Sequence, residues 1–113
     1  VGSVCTSRDF NDPKSESERH VIYVSYLGTE RILKEHFALW EELWQGDIEV
    51  EGDDEAQLVA RSALFNLYSN ALENSRLSIS PMGLSGTFYS GHVFWDSETW
   101  MYPPMLFLNQ GIA

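Results

Sequence analysis

A stripe of apolar residues at helical spacing runs through the middle of the sequence. It consists of Ala56, Val59, Ala60, Ala63, Leu64, Leu67, Ala71 and Leu72. Residues that recur every three or four positions share one face of an α-helix, so this pattern predicts a helix from Asp54 to Leu72. Asp54 with Gln57 three residues later is typical of a capping box at the start of such a helix.

The preceding segments predict further helix and a short extended start. Apolar residues recur at the same spacing from His20 to Trp44, with a break predicted at Gly28-Thr29. Pro13 suits either a loop or the first position of a helix. Residues 1–12 resemble the tail of a β-strand that leaves a sheet. We therefore expect a mainly α-helical fold with an N-terminal strand remnant.

Beyond the central helix, the sequence predicts a loop and a last helix. Residues 75–91 contain Pro81, Gly83, Gly86 and Gly91, which is typical of an irregular, glycine-hinged loop. Residues 94–108 predict another helix. Its Pro103-Pro104 pair is compatible with a helix only near the first turn or at a kink.

Length and charge limit the classes of function. With 113 residues, of which 43% are apolar, the chain suffices for one ordinary domain but not two. It opens on Val1 rather than Met, and we interpret it as a piece of a longer protein. Seven basic residues against seventeen acidic ones give a net charge of −10, so the chain would repel a phosphate backbone and no nucleic-acid partner is expected.

Other partners are limited by what the sequence lacks. A single cysteine, Cys5, excludes an internal disulfide and a cysteine-based zinc site. No apolar run reaches membrane length, so no membrane partner is expected, and the cellular compartment stays open. The acidic surface is compatible with a neutral ligand such as a sugar, and equally with ordinary solubility.

The stretch GHVFWDSETWM, residues 91–101, concentrates the candidate chemistry. It holds two tryptophans, two carboxylates and a histidine, with no positive charge. Flat apolar rings can cover the C–H face of a sugar while carboxylates accept hydrogen bonds from its hydroxyl groups. The alternative is the end of a buried helix with its acids in water, which is the more common role of a lone tryptophan.

Metal and nucleophilic sites are not predicted from this stretch or elsewhere. His92 and Asp96 are four residues apart, but no three-ligand pattern accompanies them, and we predict no metal and no other cofactor. Gly83-Leu84-Ser85-Gly86 lacks the spacing of a nucleophile elbow. Asp96 and Glu98 are too close in sequence to face one another as an inverting acid–base pair, which needs a separation of about 6.5 to 9.5 Å.

A longer pattern around this stretch resembles glycoside hydrolase family 65. The pattern is ISPMGLSG at residues 79–86 followed by YSGHVFWDSE at residues 89–98. His36, Trp40, Leu43 and Trp44 resemble the linker helix of that family, and Gly52-Asp53 through Leu67 resembles its first barrel helix. The family includes trehalose, maltose and kojibiose phosphorylases, acid trehalases and glucosidases acting on glucosyl-galactosyl-hydroxylysine.

The resemblance implies a place for each segment in a larger protein. Residues 1–19 correspond to the end of an N-terminal β-sandwich and a connector, and residues 20–52 to the linker helix region. Residues 53–113 correspond to the start of an (α/α)6 catalytic barrel. The partners implied are a carbohydrate substrate and the rest of the parent polypeptide.

The resemblance also implies roles for the residues of the stretch. Phe94 and Trp95 are expected to wall the subsite for the non-reducing glucose, and Asp96 to bind its hydroxyls or act as an essential acid. The family's general acid is a glutamate beyond Ala113, so the chain alone is expected to be inactive. The other predicted substrate-binding residues are His92, Glu98 and Trp100.

The resemblance leaves two alternatives open beside an inverting α-glucoside hydrolase. Ser80-Pro81-Met82 and the tryptophan at Trp100 resemble the hydrolase branch of the family more than its phosphorylase branch. Ser97, where many members have Thr, is a departure that we expect to leave the pocket unaltered. A disaccharide phosphorylase and a noncatalytic helical interaction domain are the alternatives.

Overall fold

The computed structural model describes residues 2–71, 77–83 and 87–113 of the chain. Within these residues there are four α-helices and no strand: α1 Pro13–Leu27, α2 Thr29–Leu43, α3 Asp54–Asn70 and α4 Tyr102–Leu108. The prediction of a mainly helical fold is confirmed. The predicted end of the third helix at Leu72 and the Gly86 hinge lie outside the described residues. The chain divides into two compact units, residues 1–42 and 43–113.

The first unit contains α1 and most of α2. Helix α1 begins at Pro13, because Asp12 caps it: its carboxylate accepts the Ser15 backbone N–H at 3.2 Å, and proline needs no N–H partner at this position. The helix ends at Leu27, and the next residue, Gly28, has a φ of +83°, which favours glycine. The break predicted there is confirmed.

The N-terminal segment of this unit differs from the prediction. Residues 2–12 form no strand, and the backbone N–H groups of Asp9 and Phe10 instead donate to the Thr6 carbonyl in a turn. A strand needs a neighbouring strand to complete its hydrogen bonds, and the described residues contain none. The predicted strand remnant is therefore not seen. His36 of α2, which the apolar periodicity suggests is a core residue, is exposed and has its ring beside Phe37 and Trp40.

The second unit is organised by one face of α3. The helix begins after Asp53, whose carboxylate accepts the Ala56 N–H at 2.9 Å, so the cap is Asp53 and not the predicted Asp54. The Gln57 side chain binds the backbone of the segment that precedes the helix instead of forming a capping box. It accepts from the Val50 N–H at 2.7 Å and donates to the Ile48 carbonyl at 2.9 Å.

Two further side chains on the same face of α3 hold this connector. Arg61 donates to the Asp47 carboxylate at 2.6 and 3.0 Å, and the Tyr68 hydroxyl donates to the Gly46 carbonyl at 2.6 Å. The spacing of Gln57, Arg61 and Tyr68 places them along one side of the helix. We call the segment 46–50 the pinned connector.

The core of the second unit is small. Its buried apolar side chains among the described residues are Leu64, Tyr68 and Met105. Gly46 allows a close backbone approach here, because a Cβ at this position would collide with the Leu108 carbonyl group and reach 2.9 Å from the Tyr68 hydroxyl. Val59, part of the predicted apolar stripe, is 63% exposed. The stripe is thus only partly covered within this unit.

None of the described helices is both long and apolar enough to span a membrane.

Candidate functional site

The candidate site lies on the segment from Phe88 to Trp100 in the second unit. It begins with a 3₁₀ turn, Phe88–Gly91, in which Tyr89 and Ser90 have φ values of +54° and +52°. Non-glycine residues rarely adopt this left-handed conformation, and strain of this kind clusters at binding and active sites. The turn is closed by hydrogen bonds from Ser90 N–H to Thr87 and from His92 N–H to Tyr89.

Aromatic rings gather immediately after this turn. The Tyr89 and Phe94 rings meet edge to face with centroids 5.2 Å apart, and the His92 ring lies 6.4 Å from that of Phe94. The structure therefore brings two of the predicted substrate-binding residues, His92 and Phe94, into one cluster. Tyr89 is a third member that sequence reasoning did not assign. Its signal was the aromatic residue beside Ser90-Gly91 in the loop.

The helical segment that follows contains an irregular turn. Residues Ser97–Met101 form a π-helical turn, in which the Tyr102 N–H donates to the Ser97 carbonyl five residues earlier. Pro103 and Pro104 have no N–H to donate, so a regular α-helical pattern cannot close across this point. π-Helical turns are rare and occur frequently at functional sites. The continuous helix predicted over residues 94–108 is thus interrupted, with Pro103 and Pro104 in the first turn of α4, where the prolines were expected.

The remaining predicted site residues lie on this turn or next to it. Trp95 and Trp100 are 65% and 67% exposed, so both indole rings are available to a ligand. Asp96 is half-buried and Glu98 is exposed. The Thr99 hydroxyl donates to the Trp95 carbonyl at 3.1 Å and so supports the backbone beside Asp96.

Asp96 and Glu98 have different surroundings. Glu98 lines a cavity of about 230 Å³, whose walls include Ile79, Ser97, Met101, Tyr102 and Met105. Asp96 does not line this cavity. The two carboxylates therefore lie in different surroundings.

Ser97 joins the turn to a distant segment. Its side chain is 5% exposed, and its hydroxyl donates to the Ile79 carbonyl at 2.7 Å. Sequence reasoning treated Ser97 as neutral, because a hydrogen bond across eighteen positions leaves no local signal.

Within residues 2–71, 77–83 and 87–113, no three His, Cys, Asp or Glu side chains are grouped so that they could hold a metal ion. The groups that the site offers to a ligand are aromatic rings and carboxylates.

Comparison with known proteins defines the class to which this site belongs. Residues 61–113 match the glycosyl hydrolase family 65 central catalytic domain. The chain is 52% identical over all of its 113 residues to a kojibiose hydrolase of Flavobacterium johnsoniae. Residues 61–113 belong to the central catalytic domain of glycosyl hydrolase family 65, and the chain as a whole is similar to proteins of that family.

Two other relatives show the range of activities in the family. A protein-glucosylgalactosylhydroxylysine glucosidase of Dictyostelium discoideum is 38% identical over 96% of the chain, which covers 15% of that protein. A kojibiose phosphorylase of Thermoanaerobacter brockii is also 38% identical over 96% of the chain, which covers 14% of that protein. The chain spans 17% of the length of the Flavobacterium kojibiose hydrolase.

Proposed function

We propose that the chain supplies part of the glucose-binding subsite of an inverting hydrolase of α-glucosides, of the kojibiose, trehalose or glucosyl-galactose type. The observation that carries this proposal is the 52% identity, over all 113 residues of the chain, to a protein named a kojibiose hydrolase. A second kojibiose hydrolase, from Mucilaginibacter mallensis, is 44% identical over the same length. Residues 53–113 then begin an (α/α)6 barrel, preceded by a linker helix region at 20–52 and the end of a β-sandwich at 1–19.

In this proposal, the rings and the carboxylate divide the work of holding the sugar. Phe94 and Trp95 cover the apolar face of the non-reducing glucose, as exposed aromatic rings can. Asp96 accepts hydrogen bonds from its hydroxyls, and bonds to a charged group contribute about 1.5 to 3 kcal/mol. His92, Glu98 and Trp100 complete the subsite.

Asp96 contributes most if its hydrogen bonds strengthen as the reaction proceeds. The glucosyl ring flattens toward an oxocarbenium-like transition state, and hydroxyl contacts that tighten on this path raise turnover as well as affinity. The general acid comes from another part of the parent polypeptide. Asp96 therefore positions and stabilises the sugar while a separate group protonates the leaving oxygen.

A phosphorylase of the same family is the second candidate, because the kojibiose phosphorylase relative covers nearly as much of the chain. The two activities differ in the attacking group: water in a hydrolase and inorganic phosphate in a phosphorylase. Phosphate-independent release of free glucose from kojibiose supports the hydrolase. Cleavage that requires phosphate and yields glucose 1-phosphate supports the phosphorylase.

The role of Asp96 is tested in the full-length parent protein by Asp96→Asn, which keeps the size and removes the charge. We expect kcat/KM on the preferred glucoside to fall at least about a hundredfold, roughly 2.7 kcal/mol of transition-state stabilisation. Glu98→Gln is measured on the same substrate, and Asp54→Asn in the exposed first turn of α3 serves as the surface control.

Two results would contradict the proposal. If Asp96→Asn resembles the wild type while Glu98→Gln is inactive, then the wrong carboxylate has been placed in the sugar pocket. If the wild-type parent cleaves no α-glucoside with or without phosphate, the noncatalytic interaction domain is the better explanation. Release of β-glucose from an α-glucoside, followed by NMR, tests inversion separately.

A further inference from the structure

The buried hydrogen bond of Ser97 stands next to the carboxylate on which the proposed function depends. Ser97 follows Asp96 directly, and its hydroxyl donates to the Ile79 carbonyl at 2.7 Å. The bond joins the π-helical turn to the described segment 77–83, which is otherwise distant in the chain. Leaving a buried hydroxyl without a partner is costly, so this bond fixes which way the Ser97 side chain points.

The backbone of Ser97 is held on both sides as well. Its N–H donates to the Phe94 carbonyl at 3.1 Å, and its carbonyl accepts the Tyr102 N–H that closes the π-helical turn. The three hydrogen bonds of this one residue connect the aromatic cluster, the irregular turn and the loop segment. Of these three bonds, the Ser97 side-chain bond is the one that reaches outside the helical segment, so rotation of the turn about its axis would strain it.

We infer that Ser97 is a positioning residue that sets the direction of Asp96 and Trp95 toward the sugar through its bond to Ile79. The inference rests on the proposed function, because it assigns a role within the same glucose subsite. A threonine places a hydroxyl on the same carbon and can make the same bond, whereas alanine cannot. The prediction is therefore specific to the hydroxyl rather than to the size of the residue.

The first experiment compares Ser97→Ala and Ser97→Thr in the full-length parent protein. Because a displacement of about 1 Å near the reacting groups can cost about a hundredfold in rate, we expect Ser97→Ala to lower kcat/KM by about tenfold or more. The loss should lie mainly in kcat, and Ser97→Thr should restore most of it. If Ser97→Ala equals the wild type, or if Ser97→Thr is as poor as Ser97→Ala, the inference is wrong.

Two matched serine-to-alanine variants control for the deletion itself. Ser80 is 9% exposed and its hydroxyl has no hydrogen-bond partner among the described residues, so Ser80→Ala removes a buried hydroxyl beside Ile79 without removing a bond. Ser25→Ala removes an exposed bond of the same 2.7 Å length, to the Val21 carbonyl. Both should retain the wild-type kcat/KM. A loss in Ser80→Ala equal to that in Ser97→Ala would show that the loop tolerates no deletion and would overturn the role of the Ser97 bond.

A double-mutant cycle then asks whether Ser97 acts through Asp96. In an Asp96→Asn background, Ser97→Ala should have much less effect on kcat than in the wild type, because the group that it positions is already altered. Additive effects would refute positioning of Asp96. If Ser97→Ala does not fold, Ser97→Cys, a near-isosteric weak donor, takes its place in both comparisons.

Failure of the inference and failure of the proposed function give different results. A wild-type parent without glucosidase activity, or a fully active Asp96→Asn variant, overturns both. An active parent that depends on Asp96 but not on Ser97 overturns the inference alone.

Discussion

Removing the Tyr68 hydroxyl should loosen the pinned connector without disturbing the core around it. Tyr68 is 2% exposed, and its hydroxyl donates to the Gly46 carbonyl at 2.6 Å. Its ring meets Trp44 edge to face with centroids 5.8 Å apart. Tyr68→Phe keeps the ring and that contact, so the perturbation is confined to one hydrogen bond.

The expected destabilisation follows from the hydrogen bond that the Gly46 carbonyl loses in Tyr68→Phe. A hydrogen bond of this kind contributes about 0.5 to 1.5 kcal/mol net, and a buried acceptor left without a partner costs about 1 to 3 kcal/mol. Gly46 is only half-buried, so water can replace part of the lost bond. We therefore expect local destabilisation of about 1 to 2 kcal/mol, which is a factor of about 5 to 30 in the opening equilibrium.

Native-state hydrogen exchange of the full-length parent protein, read on peptides covering residues 43–70, measures this local opening. Exchange in Tyr68→Phe should be faster by about 5 to 30 times, the factor just derived. Tyr26→Phe, whose ring is 88% exposed in α1, is the matched control and should equal the wild type. Exchange in Gly46→Ala should be faster than in Tyr68→Phe, because the added Cβ would collide with the Leu108 carbonyl group.

Equal exchange in Tyr68→Phe and the wild type would show that the Tyr68 bond does not hold the connector. Faster exchange in Tyr26→Phe would show that the assay reports general loosening instead.

Two further predictions concern the charge on the connector and the isolated chain. The Arg61 guanidinium, by its hydrogen bond, lowers the pKa of the Asp47 carboxyl in the folded chain. The pair therefore stabilises the fold at pH values above about 3.9, the pKa of an unfolded aspartate. This stabilisation is lost as the pH falls through the lower pKa of the folded state. Asp47→Asn should therefore speed local exchange at pH 7, and its difference from the wild type should shrink as the pH falls below about 3.9, once intrinsic rates are corrected. A difference that stays constant as the pH falls would contradict the linkage. The isolated 113-residue chain should release no glucose from kojibiose or trehalose and should self-associate in ultracentrifugation, since large side chains such as Phe107 are 82% exposed. Glucose release by the isolated chain that Asp96→Asn abolishes would refute the predicted inactivity. A stable monomer at low concentration would refute the predicted self-association.

The helices were predictable because their signals are local. The Gly28 signal predicts where α1 ends, and the apolar periodicity with its acidic start predicts where α3 begins. Pro13 lies at the first position of α1, one of the two places that the sequence left open for it. The choice of cap was wrong, since Asp53 and Asp54 are chemically alike and only the geometry of the connector selects Asp53. The strand remnant could not form among the described residues, because a strand depends on a partner strand.

The sequence names the candidate site residues, but it does not predict how they are arranged. The sequence marks the aromatic and acidic residues of the GHVFWDSETWM stretch, and the prolines mark an irregular helix. The sequence does not show that the helix accommodates the prolines by a π-helical turn. It also does not show that the Ser97 hydroxyl binds the Ile79 carbonyl, because that bond joins distant segments of the chain. That Glu98 lines a cavity which Asp96 does not line likewise appears only in three dimensions.

The π-helical turn also changes the direction of Asp96 relative to Met105 around the helix axis, which a regular α-helix would fix. In an α-helix each residue advances about 100° around the axis, so the direction of Asp96 would be fixed by the packing of Met105 nine residues later. The i to i−5 bond from Tyr102 to Ser97 inserts a phase offset between them. Replacing both Pro103 and Pro104 would let the segment close as one α-helix, and Asp96 would turn by a large fraction of a right angle relative to Met105. Regular α-helical spacing therefore does not predict which residues on either side of positions 97–101 share a face.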